Sequence, residues 1–116
     1  MEILVTNNPM VQAQYQEKFR VVYLDTDLAG VLTHTRDLVH KGHKLLTHPL
    51  SGSVKPNESP YKSVLISDNT EKTDPQSVSI IEECMQTAKK FPLRHIPEKH
   101  LHDLQTIDLT LIRSAL

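Results

Sequence analysis

A chain of 116 residues, 38% hydrophobic and 23% charged, has room for one folded core and not for two, so residues 1–116 read as a single domain. A formal net charge of −1 supplies no field to recruit nucleic acid or an anionic membrane, and the absence of Trp beside three Tyr and two Phe removes the stacking platforms of a single-strand binder. One cysteine excludes an internal disulfide, no basic start leads into an apolar signal segment, and no apolar run approaches a membrane span, so the expected location is the cytoplasm.

In chain order, Ile3, Leu4 and Val5 form a short apolar run of the kind that suits a strand buried on both faces, expected over about residues 2–6. Asn8 followed by Pro9 reads as an N-cap with proline at the first helical position, and a weakly amphipathic helix is expected from Pro9 to about Lys18. Val21, Val22, Tyr23 and Leu24 repeat the strand pattern over about 20–25, closed by Asp25, Thr26 and Asp27. Asp25 and Asp27 are spaced to act as a carboxylate pair, but Asp27 fits better as the N-cap of the next helix. Leu28, Val31, Leu32, Thr35, Leu38 and Val39 share one helical face, and Gly42 stands where a C-terminal glycine cap belongs, with His40 and Lys41 in the last turn.

The segments "KLLTH" (44–48) and "KSVLIS" (62–67) read as a third and a fourth strand. Residues 68–74 form a polar surface loop, after which Asp74 and Pro75 open a helix whose Val78, Ile81, Cys84, Met85 and Ala88 make a continuous stripe up to Phe91. Cys84 on that stripe reads as a small buried hydrophobe rather than a redox group. Near the C-terminus Ile107, Leu109 and Leu111 alternate like a strand, whereas Leu104, Ile107, Leu111 and Ala115 fit a helix; no turn glycine bounds the run, which favours the helix. The order predicts an α/β fold: a small open, mostly parallel four-stranded sheet with flanking helices and the first three strands parallel. The link at 49–61 is too rich in Pro and Ser for a crossover helix, which leaves the fourth strand free to lie antiparallel at one edge.

Ligands of open α/β sheets sit beyond the carboxyl ends of the parallel strands, and the long loop "THPLSGSVKPNESPYKS" begins there. From Arg36 to Lys62 the chain carries Arg36, Lys41, Lys44, Lys55 and Lys62 against Asp37 and Glu58, together with three histidines, a balance that leans toward an anionic partner. Backbone amides around Ser51, Gly52 and Ser53 have the composition of an anion-holding nest, and the Asn8-Pro9 helix start adds the positive end of a dipole. The expected ligand-binding set is therefore Asn7, Asn8, His48, Ser51, Gly52, Ser53 and Lys55, against the blander reading of a shaped loop with solvated lysines. No phosphate-loop or dinucleotide motif occurs, so no cofactor is expected. His34, His40, His43 and His48 lack zinc-ligand spacing, so no metal is expected either. Histidine is a residue type suited to acid-base work, which makes His48 a candidate, but no nucleophile is evidently paired with it, which weighs against an enzyme.

Residues 37–67, "DLVHKGHKLLTHPLSGSVKPNESPYKSVLIS", together with the start "VTNNP" and the overall length, resemble the GrdX family, small proteins encoded with the glycine, sarcosine and betaine reductase genes of amino-acid-fermenting anaerobes. The resemblance implies an anaerobic bacterial cytosol and supplies no catalytic residues. Two roles follow from it as expectations. One is an accessory or regulatory protein that binds a small anionic or amino-acid-derived ligand; the other is a ligand-free assembly protein for a glycine reductase component.

Overall fold

A computed structural model describes residues 1–50, 57–91 and 95–116. The elements are β1 (Ile3–Thr6), α1 (Pro9–Tyr15), β2 (Arg20–Tyr23), α2 (Leu28–His40), β3 (Ser63–Ile66), α3 (Pro75–Lys89) and α4 (Glu98–Ala115). Among the described residues the sheet has three strands in the order β2-β1-β3. β1 pairs parallel with β2, Ile3 opposite Arg20, and antiparallel with β3, Ile3 opposite Ile66.

Helices cover both faces of this sheet, which is why Ile3–Val5 of β1 and Val64–Ile66 of β3 are apolar without interruption. Ile3, Val5, Val64 and Ile66 pack on Val31 of α2, while Leu4 and Leu65 turn the other way onto Val11 and Tyr15 of α1 and Ile112 of α4. A third cluster joins Leu28, Leu32 and Val39 of α2 to Ile81 and Ala88 of α3. Cys84 is buried on the same helix.

The helix starts follow the caps expected of them. Asn8 Oδ1 accepts from Met10 N, Asp27 Oδ1 from Gly30 N, and Asp74 Oδ2 from Ser77 N, each at 3.0 Å. α2 ends in a Schellman motif: His43 N donates to Leu38 O (3.2 Å), Gly42 N to Val39 O (3.0 Å), and Gly42 takes φ +111°. α1 is shorter than expected, with Gln16 as its C-cap. The C-terminal segment is helical, but its buried positions are Asp108 and Ile112, and Ile107 is 43% exposed, so the packed face is turned from the expected stripe.

The four-stranded, mostly parallel sheet is not what forms. Residues 44–48 make no strand, only one antiparallel bridge between Leu45 and Ile66, and the strand at 63–66 is antiparallel to the centre, so the sheet is three-stranded and mixed. The reason lies in the hydrogen bonds. Leu46 N and Thr47 N both reach the carbonyl of Leu65 (2.9 and 3.3 Å), so two residues oppose one, as in a bulge. One further backbone bond remains, Ser67 N to Lys44 O (2.9 Å), and side-chain hydroxyls take other places along the edge: Lys44 N donates to Ser67 Oγ, Leu45 N to Ser77 Oγ, and Leu65 N to Thr47 Oγ1. The segment thereby seals the outer edge of β3 without joining the sheet.

Candidate functional site

β1 and β2 deliver their carboxyl ends beside the start of β3. α2 begins at this end of the sheet, and α3, which follows the antiparallel β3, finishes at it. Asn7 sits at the junction, 5% exposed, and ties three segments together. Its Nδ2 donates to Thr26 O (2.8 Å) after β2 and to Pro60 O (2.6 Å) before β3, and its Oδ1 accepts from Lys62 N (2.8 Å).

Asn8, fully buried, anchors the last helix in the same way. Besides capping α1, it donates through Nδ2 to Gln105 O (2.9 Å) and to Asp108 Oδ2 (3.0 Å) on α4. The polar network continues with a defined direction: Asn8 N donates to Thr6 Oγ1, and Ser63 Oγ donates to Asp108 Oδ2 (2.8 Å). The hydrogen shared between Thr6 Oγ1 and Ser63 Oγ (2.7 Å) must then come from Thr6. Each of these buried side-chain polar atoms has a partner, as a network inside a core requires.

Asp108 is the member the sequence pattern did not single out. The available signal was a carboxylate interrupting the apolar spacing between Leu104 and Ile112 of α4. Burial holds its carboxyl above the ordinary 3.8, against the opposing pull of the Asn8 and Ser63 hydrogen bonds and the Lys62 charge. Burial likewise pushes the Lys62 ammonium down, with Asp108 resisting. The crevice lined by Thr47, Lys62, Ser63, Asp108 and Leu111 encloses about 10 Å³, the room of a single water.

A raised carboxyl pKa has a definite consequence for stability. The unfolded chain releases this proton near the ordinary value and the folded chain only at higher pH, so the contribution of Asp108 is fully present in acid and lost as pH rises through the folded pKa. Asp108→Asn mimics the protonated form. Denaturant unfolding of both proteins from pH 4 to 8.5 should show the variant gaining on the wild type as pH rises and then levelling off. A variant that loses ground to the wild type as pH rises would mean that Lys62 holds the carboxylate charged.

Of the expected ligand-binding set, Asn7 and Asn8 lie together at the carboxyl end of β1 with their amides bonded inward. His48 is exposed, and its Nδ1 accepts from Leu50 N (3.1 Å). Ser51, Gly52, Ser53 and Lys55 lie outside the described residues. The histidines have separate partners: His40 Nε2 stands 3.3 Å from Glu82, and His43 Nδ1 donates to Ser67 O (2.7 Å). No three His, Cys, Asp or Glu side chains converge as metal ligands among the described residues.

A larger concavity opens at the same end of the molecule, between the first turns of α2 and the last turns of α3. It measures about 370 Å³ and is lined by Ala29, Leu32, Met85, Ala88 and Phe91, with Thr33, Asn57 and Lys89 as its polar members. Asn57 fixes the long loop to this groove. At φ 67° it turns its amide to the end of α3, donating to Ala88 O (3.1 Å) and Phe91 O (2.7 Å). Residues 57–60 are thus held at Asn57 to the end of α3 and at Pro60 to Asn7.

No described helix is long and apolar enough to cross a membrane. The family model described as GrdX-like protein matches residues 3–116. No curated protein and no solved structure matches the chain.

Proposed function

This chain belongs to the GrdX-like family, and from that premise we propose that it is an accessory or regulatory protein of the glycine reductase system that binds a small amino-acid-derived carboxylate. The observation that carries this reading is the groove of about 370 Å³ between α2 and α3, within the size range of small-molecule sites. Its walls suit a short apolar body, and Lys89 at the rim supplies a cation for the carboxylate. Asn57, in the wall of the same groove, adds an amide beside the end of α3. A cytoplasmic setting in an amino-acid-fermenting anaerobe belongs to the same proposal.

A thermal-shift screen with glycine, sarcosine, betaine, acetyl phosphate, phosphate and nucleotides tests it. A true ligand at about a hundred times its Kd stabilises the fold by roughly 3 kcal/mol. Met85→Trp, which fills the groove, should abolish the shift, and Lys89→Ala should reduce it. His48→Ala and Lys55→Ala measure what the loop contributes. No shift with any compound, together with co-purification of a reductase subunit, would transfer the assignment to a ligand-free assembly role.

A further inference from the structure

The two edges of the sheet are treated differently. β3 is sealed by residues 44–47 through hydroxyls of Thr47, Ser67 and Ser77, whereas β2 has β1 on one side and no strand on the other among the described residues. Arg20 N donates to Glu2 O (3.0 Å) and Leu24 N to Thr6 O (2.9 Å), so alternate residues of this strand face β1. The two-residue period then turns the N–H and C=O groups of Val21 and Tyr23 outward. The side chains of Val21, Val22 and Tyr23 remain half-buried rather than enclosed.

We propose that the outer edge of β2 is a self-association surface, and that its occupant is β2 of a second copy of this chain, paired antiparallel. An outward residue must meet an outward residue for the bonds to form, so a two-fold axis at Val22 sets Val21 of each copy opposite Tyr23 of the other. The charges along the edge select this partner. Its amino end carries exposed Lys18 and Arg20 with Glu17 beside them, a net positive end, and its carboxyl end exposed Asp25 and Asp27, so antiparallel pairing lays the basic end of each copy beside the acidic end of the other. Parallel pairing would oppose like charges at both ends. The product is one continuous six-stranded sheet with the ligand grooves of the two copies facing opposite directions.

Sedimentation equilibrium over a wide concentration range, up to about 1 mM because so short a contact lies at the weak end of interfaces, gives the reference dimerisation constant. Arg20→Glu and Asp25→Arg are exposed substitutions that place like charges at both ends of the pair. Each variant alone should dimerise at least about tenfold more weakly than the wild type. An equimolar mixture of the two variants should recover dimers. In that heterodimer the introduced glutamate of one copy meets the introduced arginine of the other at one end, and the unaltered Asp25 and Arg20 meet at the other. A wild type that stays monomeric throughout, variants that dimerise as well as the wild type, or a mixture that fails to recover would each overturn the proposal.

Discussion

Replacing Asn7 by Ala should cost about 2–4 kcal/mol of folding stability, since it removes one neutral side chain that satisfies three backbone groups. The carbonyls of Thr26 and Pro60 lose their donor, and the N–H of Lys62 loses its acceptor. These groups belong to the strand ends on either side of β1, so the loss is felt across the whole carboxyl end of the sheet. Asn7→Asp keeps an acceptor for Lys62 N but points a carboxylate at two carbonyl oxygens, and should be no better than Ala. Urea unfolding midpoints of the two variants decide the matter. A residue whose task was ligand contact alone would leave both midpoints unchanged.

Gly42→Val should be comparably damaging, at about 3 kcal/mol or more, for two reasons that act together. The backbone stands at φ +111°, a conformation side-chain-bearing residues rarely adopt. A Cβ there would also overlap the carbonyl oxygen of Glu71, a backbone atom that cannot swing aside as a side chain would. Glu71 N donates to Gly42 O (3.2 Å), so the two segments approach because they are bonded to each other. Val at this position breaks the Schellman ending of α2 and lifts the loop at Glu71 away. Circular dichroism melts of Gly42→Ala and Gly42→Val should show both strongly destabilised, Val the more so.

Much of this fold is readable from local chemistry in the sequence. Asn8-Pro9, Asp27 and Asp74-Pro75 announce their helices because a cap acts within three residues of itself. The apolar runs at Ile3–Val5 and Val64–Ile66 announce strands because helices cover both faces of the sheet. Residues 44–48 misled because "KLLTH" has the composition of a strand, while what it becomes is decided by hydroxyls at Ser67 and Ser77, far along the chain. Asn7 and Asn8 posed the same difficulty at the candidate site. Polar residues after a strand look alike whether they hold a ligand or staple loops, and only the positions of Pro60, Gln105 and Asp108 show where their amides point. The groove between α2 and α3 was not legible at all, since no spacing in the sequence says that the ends of two antiparallel helices stand apart.

The bond from Asn8 to Asp108 spans 100 positions, and it carries a consequence for how the protein is made. On a ribosome adding about 5–20 residues each second, β1 emerges several seconds before the helix that will cover Leu4 and Leu65. Through that interval one whole side of the nascent sheet lacks Ile112, while the thiol helix and its neighbour can already close the other side. Until α4 arrives, that face has Val11 and Tyr15 of α1 over Leu4 and Leu65 but not Ile112, so the two-sided burial of the sheet is complete only with the last helix.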